Sequence, residues 1–208
     1  DNRQFIEALE KSGDIVRIKN TVDWDLEAGA IVRRISEMRK AAPLFEKIKD
    51  YPEGYRIFGE PLGTYRRLAV ALGMAPDTPY REIRAEYERR LPNLIKPVVV
   101  TDAPCKENIV RGKDVDLFQF PAPMIHEGDG GRYIGTWHAV ICRDPGRDWT
   151  NWGMYRLMIA DSRHLTGLCE PYTHQYDILK RVYAAQGKNM TVAIAIGMDP
   201  ICSMMSAS

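Results

Sequence analysis

Residues 144–156, with the sequence DPGRDWTNWGMYR, carry the signal that decides how the second half of the chain folds. A Pro-Gly pair opens the segment and favours a turn, and the residues after it are typical of a strand whose side chains alternate between two faces. If that strand is regular, Trp152, Met154 and Arg156 share one face. The segment therefore predicts a turn followed by a strand with a guanidinium on an otherwise apolar face.

The surrounding residues in the second half are also mostly β-like. Four runs rich in β-branched and apolar residues predict strands, and they lie at residues 98–100, 133–142, 153–160 and 190–196. One clear helical pattern interrupts them at residues 175–186, where Gly187 favours a helix end. The second half is therefore predicted to be mainly β, with one crossing helix.

The first half alternates between helical and strand patterns. Phe5 and Leu9 share a helical face that ends at Gly13, and residues 15–18 predict a strand. Asp23 is expected to cap a helix that runs to about residue 38, with an apolar stripe formed by Leu26, Ala30, Ile31, Ile35 and Met38. Further strands are expected at residues 43–45 and 55–58, and further helices at residues 65–72 and after Pro79.

A Pro-bounded linker at residues 91–97 predicts a domain boundary near residue 100. The predicted fold class is α+β, with an α/β domain at residues 1–100 and a second, mainly β domain at residues 101–208. Residues 203–208 show no helix cap and no polar tail after the turn signal at residues 197–200. We therefore expect the second domain to be incomplete at its C-terminal side.

Composition excludes several function classes. The 208 residues are 45% hydrophobic and 27% charged with a net charge of +1, which disfavours binding to nucleic acid or to an anionic membrane. No apolar run approaches the roughly 18–20 residues that span a bilayer. The four cysteines are widely and irregularly spaced, without a Cys-x-x-Cys pair, so neither a zinc site nor a disulfide framework is expected. Reduced thiols in a cytoplasmic enzyme are the simpler interpretation.

Three polar residues are candidates for chemistry, although each has a plainer interpretation. A buried Arg156 would need a carboxylate or phosphate partner, which a structural salt bridge at a domain interface could equally supply. His174 lies near a predicted helix N-terminus, where a hydrogen-bonded core or surface histidine is also common. Asn151 alone is typical of a turn.

Two further segments are weaker candidates. The Gly-rich stretch at residues 129–136 could let the backbone approach a phosphate, but a tight turn beside packed strands is the better interpretation. Cys105 beside Lys106 could be a thiol of lowered pKa. No histidine lies near it in the sequence, so a structural role is expected for Cys105.

Taken in order, these segments resemble the UbiD family, and within it the ferulic acid decarboxylases. The resemblance covers nearly the whole chain and rests on an ordered series of blocks, namely 103–108, 116–117, 120–123 with His126, 129–134, 151–152 with Arg156, 164–168, and His174. It implies that the second domain is the first part of a split β-barrel that binds prenylated FMN.

The resemblance also implies a set of site residues. Asn151 and His174 match two ligands of a Mn²⁺ ion, and a third ligand, a Glu, is expected beyond Ser208. Trp152, through its carbonyl, and the turn at residues 206–208 match contacts to a K⁺ ion and to the flavin phosphate. The full set of expected cofactor contacts is Asn151, Trp152, Gly153, Met154, Tyr155, Arg156, Thr173, His174, Ser206, Ala207 and Ser208, of which Trp152, Ser206 and Ser208 are also expected at the K⁺ ion.

Arg156 matches the arginine of a Glu-Arg-Glu catalytic network, and both Glu partners are expected beyond residue 208. The implied reaction is a reversible, non-oxidative decarboxylation of an aromatic, heteroaromatic or α,β-unsaturated carboxylic acid. The cofactor acts as the electron sink, and a Glu supplies the proton that replaces CO₂. The implied partners are the acid substrate, CO₂, a flavin prenyltransferase that supplies the cofactor, and further copies of the same chain in a homodimer or larger homo-oligomer.

Three residues depart from the ferulic acid decarboxylase pattern and predict a more polar pocket mouth, namely Tyr155, Glu170 and Thr173. We therefore expect an acid with polar substituents rather than plain cinnamate. Two alternatives stay open. The 208 residues could form a flavin- and metal-binding fragment that is inactive by itself, or the chain could be a metal-dependent hydrolase that uses His126 and His174.

Overall fold

A small mixed sheet organises the first hundred residues of the protein. The structure is a computed structural model that describes residues 1–207. The elements of this part, in chain order, are α1 (Asn2–Lys11), β1 (Ile15–Ile18), α2 (Glu27–Glu37), β2 (Ala42–Phe45), β3 (Ile57–Phe58), α3 (Tyr65–Ala71) and α4 (Tyr80–Arg90). Strand β2 lies in the centre, parallel to β1 and antiparallel to β3. Each predicted helix and strand of this part is present, although α2 begins later and β3 is shorter than expected.

The core of this part lies between β2 and α2. Val22, Ala28, Phe45 and Ile48 are buried together there. Full burial of a side chain such as Phe45 contributes about 1.5–3 kcal/mol of hydrophobic stabilisation. Gly29 allows the close approach of α2 to the second half of the chain, because a Cβ at this position would lie 2.5 Å from the carbonyl oxygen of Ile125.

Helix α2 begins later than the sequence predicts, so the expected N-cap at Asp23 is wrong. The backbone of Trp24 and Leu26 pairs with Met124 instead, through hydrogen bonds of 3.0 Å and 2.9 Å. These long-range bonds hold the segment extended, and Leu26 reaches a φ of 65° just before the first helical residue. The expected apolar stripe is also partly wrong, because Leu26, Ala30 and Met38 are exposed while Ala28 and Gly29 are buried.

The second half contains six strands and two helices in residues 101–207. These elements are β4 (Tyr133–Gly135), β5 (His138–Asp144), β6 (Trp149–Gly153), β7 (Leu157–Ile159), β8 (Leu165–Gly167), α5 (His174–Ile178), β9 (Val192–Ile196) and α6 (Pro200–Ser206). They form two antiparallel sheets, with strand orders β4-β7-β8 and β6-β5-β9. The mainly β character predicted for this part is confirmed.

Three expected strands differ in detail. The segment 98–100 forms no strand, and Val99 is 95% exposed. Within residues 1–207 no neighbouring strand pairs with this segment, so its β-branched residues have no ladder to join. The expected strand 133–142 is divided into β4 and β5, and the strand expected from Gly153 onward is interrupted at residues 154–156.

The crossing helix is confirmed, with a change of winding along its length. Helix α5 continues through a π-helical turn at Leu179–Tyr183 and a 3₁₀ turn at Ala184–Gln186. Gly187 ends it with a φ of 64°, as its position in the sequence predicts.

Helix α6, which follows the turn signal at residues 197–200, is not predicted by the sequence pattern. Asp199 caps this helix by accepting a 2.9 Å hydrogen bond from Ile201 N, and Pro200 occupies its first turn. Ile201 then packs against the buried cluster formed by Ala69, Leu72 and Ile83. The helix therefore connects the end of the described chain to the first hundred residues.

In residues 1–207 no helix is both long and apolar enough to cross a membrane. The four cysteines are free thiols, as expected.

Candidate active site

Strand β6 presents the first candidate residue, Asn151. Residue 151 pairs with Cys142 of β5 in an antiparallel ladder, and its side chain is 4% exposed. Because side chains alternate along a strand, Trp149, Asn151 and Gly153 share one face of β6. The interpretation of Asn151 as a turn residue is wrong, since it lies in the middle of a paired strand.

The amide of Asn151 is oriented by two neighbours. Its Nδ2 lies 3.8 Å from Cys142 Sγ and 3.4 Å from the hydroxyl oxygen of Tyr155. Burial raises the pKa of the Cys142 thiol, against the opposing effect of the Asn151 hydrogen bond, so the sulfur stays protonated near neutral pH. No donor in residues 1–207 bonds to Asn151 Oδ1, which leaves this oxygen available to a ligand.

His174 is the first residue of α5 and faces the same side of β6 as Asn151. Thr173 caps the helix, and its hydroxyl accepts a 3.3 Å hydrogen bond from Tyr176 N. The exposed imidazole of His174 lies edge-on to Trp149, with ring centroids 5.0 Å apart. No hydrogen bond to the imidazole is present in the described part of the chain. The alternative of a hydrogen-bonded structural histidine is therefore not what the geometry shows.

Tyr155 connects these two candidates. The chain leaves β6 after Gly153, and the Tyr155 ring folds back over that glycine, where a Cβ would lie 2.6 Å from the Tyr155 hydroxyl oxygen. The hydroxyl accepts a 3.4 Å hydrogen bond from Gln175 N in addition to the one from Asn151. The break in the strand also means that the regular alternation expected for Trp152, Met154 and Arg156 is wrong.

Arg156 follows this break and is exposed rather than buried. Its guanidinium has no ion pair and no side-chain hydrogen bond to any of residues 1–207, so the structural salt bridge considered for it is absent there. It lines an open groove of about 320 Å³ on the β4-β7-β8 sheet, together with Tyr133, Met158, Thr166, Gly167 and Leu168. A free guanidinium beside apolar and hydroxyl side chains is suited to a carboxylate on an organic ligand.

The remaining expected contacts surround the end of β6. Met154 N donates a 2.9 Å hydrogen bond to the carbonyl oxygen of Ser206, which joins β6 to the C-terminal end of α6. The Ser206 hydroxyl donates to Cys202 O at 2.8 Å. Trp152 is on the opposite face of β6 from Asn151 and is 46% exposed. Ala207 is exposed, and Ser208 lies outside the described residues.

The donor set fits part of a site for a hard divalent cation. An amide oxygen and an imidazole are suitable ligands for an ion such as Mn²⁺, which also needs carboxylate or phosphate oxygens. Residues 1–207 contain no group of three or more His, Cys, Asp and Glu side chains able to hold a metal. Asn151 and His174 could therefore anchor a cation only with oxygen ligands from another source, such as a flavin phosphate.

The hydrolase alternative finds no support in the described part of the chain. His126 is 64% exposed at its side chain and lies 3.5 Å from Asp129, in a loop. The two histidines are not members of any metal-binding group in residues 1–207.

The Gly-rich stretch is a tight packing element, as expected. A Cβ at Gly130 or Gly131 would lie 3.3 Å or 3.2 Å from Met158 Sδ. Arg132 then stacks over the Trp24 ring at 4.1 Å and donates to Tyr51, so the stretch holds the two halves of the chain together. Cys105 is exposed in a short 3₁₀ turn, which gives no support to the structural role expected for it.

Sequence reasoning missed His138, which is fully buried. Its Nε2 lies 2.8 Å from the carbonyl oxygen of Tyr155, at the break between β6 and β7. A polar residue at the start of a strongly apolar strand was the available signal, because a buried imidazole needs a partner. Trp149, which contacts His174, lies within residues 144–156, but its residue type alone does not indicate that role.

Two family models match the chain. The 3-octaprenyl-4-hydroxybenzoate carboxy-lyase N-terminal domain matches residues 6–87, and the 3-octaprenyl-4-hydroxybenzoate carboxy-lyase Rift-related domain matches residues 96–208.

Named relatives are similar along almost the whole chain. A pyrrole-2-carboxylic acid decarboxylase from Pseudomonas aeruginosa is 36% identical over 96% of this chain and 42% of its own length. Ferulic acid decarboxylase 1 from Candida dubliniensis is 34% identical over 99% of this chain and 43% of its own length. The chain thus spans less than half the length of the curated relatives it matches.

Solved structures have the same fold over this region. The closed form of vanillic acid decarboxylase from Sedimentibacter hydroxybenzoicus gives a TM-score of 0.92 at 30% identity, covering 100% of this chain and 45% of that one. An evolved dimeric form of the UbiD-class enzyme HmfF from Pelotomaculum thermopropionicum, in complex with prFMN, gives 0.78 at 27% identity, covering 96% and 44%.

Proposed function

The chain belongs to the UbiD family of carboxy-lyases, and we propose that the whole protein uses prenylated FMN to decarboxylate an aromatic, heteroaromatic or α,β-unsaturated carboxylic acid. The reaction would be reversible and non-oxidative. The observation that carries the proposal is the presence of two free metal-ligand groups, Asn151 Oδ1 and the His174 imidazole, on one side of β6. Arg156 is unpaired among residues 1–207 and lies just beyond the strand. The names of the relatives, and the prFMN bound by HmfF, support the reaction class and the cofactor.

Asn151 and His174 would hold Mn²⁺ beside the flavin phosphate. Their availability supports this role, because neither the Asn151 oxygen nor the His174 ring nitrogens form a hydrogen bond to a described residue. The Trp152 carbonyl and residues 206–208 would contact K⁺ and the phosphate. The hydrogen bond between Met154 N and Ser206 O supports that grouping, since it brings the two segments together at 2.9 Å. Gly153, Met154, Tyr155 and Thr173 would line the flavin.

Arg156 would bind the carboxylate of the substrate. Its groove offers apolar walls for a ring and no competing anion among residues 1–207. Bound prenylated FMN would supply the electron sink that makes loss of CO₂ possible. The guanidinium would hold the carboxylate in the orientation needed for loss of CO₂. It would also lower the pKa of the Glu that supplies the replacing proton.

The proposal includes two domains in this chain and assembly of the whole protein into an oligomer. A boundary near residue 100 is supported by the two family matches, which leave residues 88–95 between them. The two antiparallel sheets of residues 101–207 would be the first part of a split flavin-binding barrel. A homodimer or larger assembly is supported by the dimeric form of HmfF. A flavin prenyltransferase would supply the cofactor.

The substrate would carry polar substituents, because Tyr155, Glu170 and Thr173 supply polar groups near the start of α5. The test is a CO₂-release assay of the whole protein, loaded with prenylated FMN, Mn²⁺ and K⁺, on hydroxylated, heteroaromatic and unsubstituted acids. The proposal expects turnover of at least one hydroxylated or heteroaromatic acid. A clear preference for cinnamate would contradict the polar-substrate part, and no CO₂ from any acid would contradict the function itself.

A second candidate is that residues 1–208 alone bind flavin and metal without catalysis. It is favoured by a specific observation, because no carboxylate in residues 1–207 pairs with Arg156, while the reaction needs a group that donates the replacing proton. The 208 residues loaded with prenylated FMN, Mn²⁺ and K⁺ are therefore expected to release no CO₂. Turnover by this fragment would refute the prediction.

A further inference from the structure

The two hydrogens of the Asn151 amide are both directed at neighbouring side chains. One is directed at Cys142 Sγ, 3.8 Å away, and the other at the Tyr155 hydroxyl oxygen, 3.4 Å away. An amide has two N–H donors and one carbonyl acceptor. With both donors engaged, the atom that faces away from the protein partners is Oδ1, which is the atom a hard cation would bind.

The Tyr155 hydroxyl is also connected to His174, through the backbone of helix α5. It accepts a hydrogen bond from Gln175 N, at 3.4 Å, and Gln175 directly follows His174 in α5. A single oxygen atom therefore contacts both the strand that carries Asn151 and the helix that carries His174. The edge-on packing of Trp149 against the His174 ring is a second contact between this strand and this helix.

Tyr155 is itself held in place from two sides. Its carbonyl oxygen accepts a 2.8 Å hydrogen bond from Nε2 of the buried His138, and its ring occupies the space left by the missing side chain of Gly153. The position of the hydroxyl is therefore fixed by the core of the protein rather than by solvent. That rigidity is what an outer group needs if it is to orient metal ligands.

We infer that Tyr155 is a positioning residue that sets the orientation of the Asn151 amide and the spacing between Asn151 and His174 for a divalent cation. The inference rests on the proposed function, since that function makes these two residues the protein ligands of Mn²⁺. Tyr155 need not touch the cation. Its effect is exerted through hydrogen bonds to Asn151 Nδ2 and Gln175 N, both of which a phenylalanine would remove.

The test is a titration of the whole protein, loaded with FMN and stripped of metal, with Mn²⁺, and the electron paramagnetic resonance signal of free Mn²⁺ measures what stays unbound. Y155F is expected to weaken Mn²⁺ binding by roughly 10-fold or more, the usual effect of removing an outer hydrogen-bond partner of a metal ligand. The matched control is Y183F, which removes a hydroxyl that donates to Arg143 O at 3.0 Å and bonds to neither Asn151 nor Gln175. Y183F is expected to bind Mn²⁺ as the wild type does.

The outcomes separate this inference from the proposed function. If N151A abolishes Mn²⁺ binding while Y155F binds as tightly as the wild type, the metal site stands and the role of Tyr155 is overturned. If the wild type binds no Mn²⁺, or N151A binds it normally, the proposed metal site is refuted and the inference falls with it. A thermal melt of Y155F within a few degrees of wild type assigns the lost affinity to the site rather than to unfolding.

Discussion

The imidazole of His138 bonds directly to the main chain of Tyr155, with Nε2 lying 2.8 Å from the Tyr155 carbonyl oxygen. Because a carbonyl only accepts, Nε2 carries the proton and Nδ1 is the unprotonated nitrogen. Nδ1 is buried without a hydrogen-bond partner in residues 1–207. Burial lowers the pKa of His138 from its ordinary value, and the Tyr155 carbonyl only partly opposes this effect.

A lowered histidine pKa makes stability depend on pH in a defined direction. Above the unfolded-state value of about 6.5, His138 is neutral in both states and its contribution is fully present. Below that value the unfolded chain binds a proton that the folded chain resists, so stability falls as the pH decreases toward the folded-state pKa. Urea unfolding at pH 7.5, 6.5 and 5.5 is expected to show a decreasing free energy of unfolding.

A matched pair of variants assigns this pH dependence to one residue. H138Q is expected to be less stable at pH 7.5 but to lose less on going to pH 5.5, because the titrating group is gone. H126Q changes a histidine whose side chain is 64% exposed and is expected to keep the wild-type slope. An unchanged slope in H138Q would show that the dependence has another source.

Gly153 is predicted to tolerate no side chain while the Tyr155 ring is present. In G153A the new methyl would overlap the Tyr155 ring, and forcing them apart is expected to cost about 1–3 kcal/mol of unfolding free energy. The same change in a Y155A background is expected to cost clearly less, because the obstructing ring is absent. G128A is the control, since nothing lies within 4 Å of that position. If G153A cost the same unfolding free energy with and without the Tyr155 ring, the packing described would be contradicted.

The buried ion pair between Arg67 and Asp14 is predicted to contribute strongly to the stability of the first hundred residues. It is 1% exposed, lies 3.2 Å from Asp14 Oδ2, and donates to the carbonyl of Glu60 at 2.9 Å. R67M removes the buried cation that pairs with Asp14, and the free energy of unfolding in urea is expected to fall by about 3–5 kcal/mol. R84M, which removes an exposed helix ion pair with Glu88, is expected to have little effect. A small loss in R67M would show that Asp14 is solvated by other means.

Most of the helix ends that the sequence predicts have local signals. Gly13 and Gly187 each end a helix with positive φ, because only glycine adopts that conformation without a steric cost. Helix α6 was missed although its signal, Asp199 followed by Pro200, was also local. The prediction of Asp23 as an N-cap was wrong because of a long-range contact. Residues 24 and 26 form backbone hydrogen bonds to Met124, about 100 residues away along the chain, so the helix begins later.

The candidate site was predictable as a set of residues and not as a geometry. Asn151, Arg156 and His174 are each ambiguous alone, and only their ordered context pointed to a cofactor site. The role of Tyr155 depends on a strand break that alternation cannot reveal. The partners His138 and Gln175 lie 17 and 20 residues away from Tyr155 along the chain, so only the folded structure brings them into contact.

The measurement that tests the central claim most directly is CO₂ release by the whole protein, loaded with prenylated FMN, Mn²⁺ and K⁺, when Arg156 is replaced. R156M is expected to lose at least 100-fold in kcat/KM, roughly 3 kcal/mol of transition-state stabilisation, because Arg156 is the cation that lines the groove among residues 1–207. R163M, at an exposed arginine after β7, is expected to keep wild-type activity. Wild-type CO₂ release by R156M would contradict the account.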